Sequence, residues 1–134
     1  VQDPLIANYA NRVVDALSTA GSTAIKAFSI RPVNSTLARM RAIVRFHDGS
    51  SLSMRMRVDF SQGFPAVSDY SFHYMTSADV TIFRYDNSDY HPGGEYAPHH
   101  KHIGADERLI DCPQPAVRQI RGEIAAHLNR KICK

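Results

Sequence analysis

The chain has 134 residues, 43% hydrophobic and 22% charged. Those figures fit an ordinary globular domain with one moderate core, and no apolar run approaches the roughly 20 residues of a membrane-spanning helix. A net charge of +3 with neutral histidines is too small to imply a nucleic-acid partner by itself, so the placement of the charge matters more than its sum.

The chain opens on a predicted helix over Pro4–Ala20. Asp3-Pro4 is a start signal, a capping residue followed by proline at the first helical position. Ile6, Tyr9, Val13 and Leu17 repeat at helical spacing, and Gly21 stops the element. No signal-peptide pattern precedes it, although a chain that begins at Val1 leaves a removed leader open. A strand follows over Thr23–Ile30 and ends at Arg31-Pro32.

Residues 37–47 alternate. Met40, Ala42, Val44 and Phe46 point one way; Arg39, Arg41, Ile43, Arg45 and His47 point the other. After Asp48-Gly49 the alternation resumes, with Leu52, Met54, Met56, Val58 and Phe60 on the apolar side and Arg55, Arg57 and Asp59 opposite. This is an antiparallel hairpin with one buried face. Paired residues share a face, so the loop must be odd. A loop of Asp48–Ser50, with Gly49 left-handed, pairs Phe46 with Leu52 and sets Arg41 against Arg57. The arginine face reads either as a solvated surface or as a groove for phosphates.

A second hairpin is expected over Ser68–Thr76 and Asp79–Asp86. Tyr70, Phe72 and Tyr74 share a face. In the next strand either Thr81, Phe83 and Tyr85 or Val80 and Ile82 turn inward. With the aromatics inside, His73, Arg84 and Asp86 share the outer face. Residues 86–112 read as a long irregular loop, and such loops are commonly functional. A closing helix over Pro113–Ile132 carries Val117, Ile120, Ile124, Leu128 and Ile132 as its stripe. The expected fold is a single α+β domain over residues 1–134: an antiparallel meander of four to five strands flanked by N- and C-terminal helices. Cys112 and Cys133 lack CxxC spacing and read as free thiols of a reducing, cytoplasmic setting, with one disulfide left open.

The long loop carries the chemistry. His91, His99, His100 and His102 are four of the seven histidines, set among loop-forming residues. Clustered imidazoles either move protons near neutral pH or hold a metal. The spacing is not that of HExxH and no cysteine joins it, so no obligatory cofactor is expected, with a divalent metal at the loop left open. RNA cleavage by 2′-hydroxyl attack fits better. It needs a base, an acid and cations around the phosphorane. Lys101, Arg84, Arg41, Arg55 and Arg57 can supply charge. Tyr85, Tyr90 and Tyr96 can stack bases, and Asp86 can orient an imidazole. His73 reads as a structural strand histidine or a substrate contact.

The run Arg84-Tyr85-Asp86-Asn87, then His91-Pro92, then Pro98-His99-His100-Lys101-His102-Ile103-Gly104 resembles the TumE family of prokaryotic toxin–antitoxin toxins. The Asp-Gly hairpin and the Tyr70–Tyr74 strand extend the likeness over residues 37–104. The resemblance implies a small toxin acting on RNA, neutralised by a helix-turn-helix antitoxin. One departure is that Ser88-Asp89-Tyr90-His91-Pro92 stands where the family has Ala-Pro-His-His-Pro. The expectation is therefore a metal-independent ribonuclease toxin. Its catalytic candidates are His91, His99, His100, His102, Asp86 and Arg84. Its RNA contacts are Lys101, Asn87, Tyr85, Arg41, Arg55, Arg57 and His73. Its partners are RNA and an antitoxin, with no membrane and a homodimer left open. The competing readings are a metal-dependent phosphodiesterase, a non-enzymatic RNA- or protein-binding module, and a nucleotide-transferring toxin.

Overall fold

The computed structural model describes residues 4–18, 22–88 and 94–132. The expectations for Asp3, Gly21, Asp89, Tyr90, His91 and Cys133 fall outside them. Helix α1 spans Pro4–Ser18, and strands follow as β1 Ser22–Pro32, β2 Leu37–Phe46, β3 Ser51–Asp59, β4 Ala66–Met75, β5 Thr81–Asp86, β6 His100–Ile103 and β7 Arg108–Asp111. Helix α2, Val117–Ile132, closes the order.

The seven strands form one antiparallel sheet in sequence order. The α+β class and the flanking helices stand, but the meander has seven strands rather than four to five. The two additional strands, β6 and β7, come from the segment read as irregular. Strand β6 lacks an apolar alternation because three of its four residues, His100, Lys101 and His102, are polar. Lys101 nevertheless faces inward: its stem runs over the aromatic side while its ammonium finds a partner, the usual compromise of a long amphipathic side chain.

Both helices cover the same face of the sheet. Ile6, Ala10, Val13 and Leu17 from α1 and Ile120, Ile124 and Leu128 from α2 join the apolar sides of β2–β5 in one core. Strands β2 and β3 are buried at every second residue, which is the period of a sheet with one covered face. Aromatics continue the core into β4 and β5, where Tyr70, Phe72, Tyr74, Phe83 and Tyr85 all turn inward. The choice left open for β5 thus falls to Phe83 and Tyr85. Helix α2 begins at Val117 rather than Pro113, since Pro115 disfavours a helical residue before it and the first helical bonds run to the Ala116 carbonyl.

The β2–β3 register differs from expectation by two residues. Arg41 pairs with Arg55, Arg39 with Arg57, and Val44 with Leu52. The loop is odd, as face parity requires, but it comprises His47, Asp48 and Gly49. Phe46 N donates to the Ser50 carbonyl at 2.9 Å and Gly49 N to the Phe46 carbonyl at 3.0 Å. Gly49 is left-handed at φ 87°, as the last position of such a turn demands. The expectation failed by assuming that Phe46 needs an apolar partner. Ser50 is buried instead, bonded to the Asp48 carboxylate and to Tyr74 Oη at 2.7 Å.

The face away from the helices is exposed along β2 and β3 and buried at Asp86 and His100, and register sets two rows of side chains on it. One row runs Ser29, Arg41, Arg55, Ser71, Asp86, His100, Asp111. The next runs Ala27, Ile43, Ser53, His73, Arg84, His102, Leu109. Arginines occupy the β2–β3 side, and histidines with Asp86 occupy the β5–β6 side.

A candidate histidine–carboxylate active site

Asp86 is the last residue of β5 and His100 the first of β6, and the two are register partners. The chain turns away after Asp86 because Asn87 clamps it to β4. Its amide donates to the Ser68 carbonyl at 3.0 Å, and its oxygen accepts from Tyr70 N at 3.1 Å. Asn87 is thus committed to the backbone. Ser88, two residues on, donates to Asp86 Oδ1 from its amide at 3.1 Å and its hydroxyl at 3.0 Å, an Asx-type turn.

His100 is 2% exposed. Its Nε2 lies 2.7 Å from Asp86 Oδ1, and its Nδ1 lies 2.8 Å from the Pro98 carbonyl. Both partners are oxygen acceptors, so the two bonds are made together only when each ring nitrogen carries a proton. His102 follows at period two on the same face. Its Nε2 lies 3.7 Å from Asp86 Oδ2, and its ring lies 5.0 Å from that of His100. Arg84 completes the group, with Nε 3.1 Å from Asp86 Oδ2 and Nη1 2.8 Å from Glu107 Oε1.

The electrostatics follow from these contacts. Burial pushes the Asp86 carboxyl up, but the Ser88 hydrogen bonds, the charge of His100 and Arg84 outweigh it and hold the group below its ordinary value. Burial lowers His102, and the Arg84 charge adds to that. Asp86 and a hydrogen bond to the Glu107 backbone oppose it, and the net shift is downward. Burial and Arg84 thus both favour the neutral imidazole of His102. His73 is likewise lowered, first by burial and then by Arg84, and its Nε2 lies 2.8 Å from Thr81 Oγ1.

Of the sequence candidates, Asp86, His100, His102 and Arg84 converge, with His73 beside Arg84 in the same row. Arg41 and Arg55 lie on the same face, around a hollow of about 450 Å³ that reaches Ser71 and His73. Arg57 stands one row further out, paired with Arg39 and Asp69. Three candidates lie elsewhere. His99 stacks on Tyr70, with Nδ1 2.9 Å from its hydroxyl. Lys101 and Tyr85 turn to the helix side, where Lys101 Nζ lies 2.7 Å from Glu123 Oε2 and the Tyr85 hydroxyl donates to Glu123. Sequence reasoning overlooked Ser88, Glu107, Glu123 and the Pro98 carbonyl. Only Ser88 left a signal, its spacing of two from an aspartate.

The class defined by this arrangement is a helix-backed antiparallel sheet with a histidine–carboxylate centre on the face away from the helices. Residues 12–128 match the family model described as Toxin TumE. The chain belongs to that family; it is a toxin, and a toxin implies an antitoxin partner in general. No curated protein and no solved structure matches it. Among the described residues, no helix is long and apolar enough to cross a membrane.

Proposed function

We propose that this toxin is a ribonuclease that cleaves RNA through the 2′-hydroxyl, with the reaction centred on Asp86, His100, His102 and Arg84. The observation that carries the reading is the row Arg41–Arg55–Ser71–Asp86–His100, which leads from paired arginines to a buried carboxylate between two imidazoles. Like charges directly opposite on neighbouring strands repel, and a phosphate chain relieves that repulsion. Two strand spacings, about 10 Å, separate Arg55 from Asp86.

His102 removes the 2′ proton at Nε2. The 2′ oxygen then bonds to phosphorus, the bond from phosphorus to the 5′ oxygen breaks, and a 2′,3′-cyclic phosphate remains. Arg84 stabilises charge on the phosphorane. His100 does not transfer the proton, because both its nitrogens are engaged; it holds Asp86, and through it Arg84, in place. The leaving 5′ oxygen needs a proton donor, and His91 remains the sequence candidate for that role. RNA is the substrate, a helix-turn-helix antitoxin is the expected partner, and no metal is obligatory.

The test is cleavage of RNA by the purified chain in EDTA. The wild type should cleave and leave cyclic phosphate ends. His102→Ala should lose on the order of 10² to 10⁴ in rate while folding normally. A His102→Ala protein that cleaves at the wild-type rate sinks the assignment.

A further inference from the structure

We propose that Asp86, His100 and His102 form a binding site for a first-row divalent cation of the zinc class, and that the bound cation switches the toxin off. The first half stands on geometry alone; the second rests on the ribonuclease reading above.

One oxygen of Asp86 and one nitrogen from each imidazole lie within 4.8 Å of one another. His100 Nε2 lies 2.7 Å from Asp86 Oδ1, and His102 Nε2 lies 3.7 Å from Asp86 Oδ2. Zinc bonds of about 2.0–2.2 Å in a tetrahedron set neighbouring ligand atoms roughly 3.3 Å apart. The three ligand atoms would draw together by at most about 1.5 Å per pair to form one face of that tetrahedron, with a water at its fourth corner. The outer partners are already in position. His100 Nδ1–H donates to the Pro98 carbonyl at 2.8 Å, and the Glu107 backbone holds the ring of His102. Ligating histidines are usually oriented by such bonds. Ser88 fixes the carboxylate from behind.

Two imidazoles and one carboxylate suit zinc and its neighbours, whereas calcium and magnesium need shells of oxygen. Arg84 opposes a cation at Asp86, but its other end is held by Glu107. Two carboxylates against one guanidinium leave one negative charge to meet the metal. The cation would replace the proton between His100 Nε2 and Asp86 Oδ1, releasing it to solvent. It would also occupy the Nε2 lone pair of His102, which could then no longer accept the 2′ proton.

The experiment titrates the purified full chain with zinc chloride, by calorimetry and by competition with a chromophoric chelator. One zinc per chain is expected. His102→Ala should weaken binding by more than about 100-fold, beyond what a disturbed supporting bond costs, and His99→Ala should leave it unchanged. His102 is partly exposed, so this variant decides the matter even if His100→Ala fails to fold. Absence of stoichiometric zinc in the wild type, or wild-type affinity in His102→Ala, overturns the site. A parallel assay follows RNA cleavage from EDTA into saturating zinc. Cleavage that zinc suppresses supports the switch. Cleavage that requires zinc overturns both the switch and the metal-independent ribonuclease, while the titration still decides the site on its own.

Discussion

His100 and His102 are two residues apart on one strand, yet the proposed mechanism gives them different work, and paired alanine variants should separate the two roles. His100→Ala removes a ring that is 2% exposed. It breaks a 2.7 Å contact to Asp86 and a 2.8 Å bond to the Pro98 carbonyl. Removing the partner of a buried carboxylate costs roughly 3–5 kcal/mol. Asp86 keeps Arg84 and Ser88, which places this case near the lower end, about 3 kcal/mol. His102 lies 3.7 Å from Asp86, beyond hydrogen-bond reach, and is partly exposed. Its loss should cost about 1 kcal/mol or less. With a urea slope of about 1–3 kcal/mol/M, the two midpoints should differ by roughly 1 M, His100→Ala the lower. His102→Ala should nevertheless be the variant that loses cleavage while remaining folded. Equal midpoints, or a His102→Ala protein as destabilised as His100→Ala, would refute the division of roles.

Three further outcomes are expected. Lys101→Met should retain RNA cleavage, since Lys101 faces Glu123 on the helix side; it should lose about 1 kcal/mol of stability with the ion pair, read from thermal melts. Arg41→Ala with Arg55→Ala should weaken RNA binding across sequences and flatten the dependence of log affinity on log salt by about 1.4, two single-strand phosphate contacts at roughly 0.7 each; an unchanged slope would remove these arginines from the substrate path. The Asp86 carboxyl is held below its ordinary value of 3.8. A depressed carboxyl contributes stability that is present above the unfolded value and lost as pH falls through the folded one. The stability advantage of wild type over Asp86→Asn in EDTA should therefore hold near pH 5 and shrink below about 3.8, as urea midpoints across that window would report.

The sequence by itself determined the elements whose side chains differ in polarity at a regular period. Ile6, Val13 and Leu17 marked one helix and Ile120, Ile124 and Leu128 the other, all of them buried. The β2–β3 and β4–β5 hairpins were legible because Met, Val, Phe and Tyr alternate there with Arg, Ser and His. The histidine-rich run and its likeness to a toxin family were legible too, since both depend only on order along the chain. Tertiary structure decided the rest. Strand β6 needed Glu123 of α2 and the rings of Tyr85 and Phe83 before an inward lysine made sense. The β2–β3 register needed Tyr74 to satisfy a buried Ser50. Which histidines meet Asp86 was also settled in space: His100 is its register partner and His102 shares that face, while His99 packs on Tyr70. Periodicity along a strand says which side chains share a face. Only hydrogen-bonded registry between strands says which of them touch.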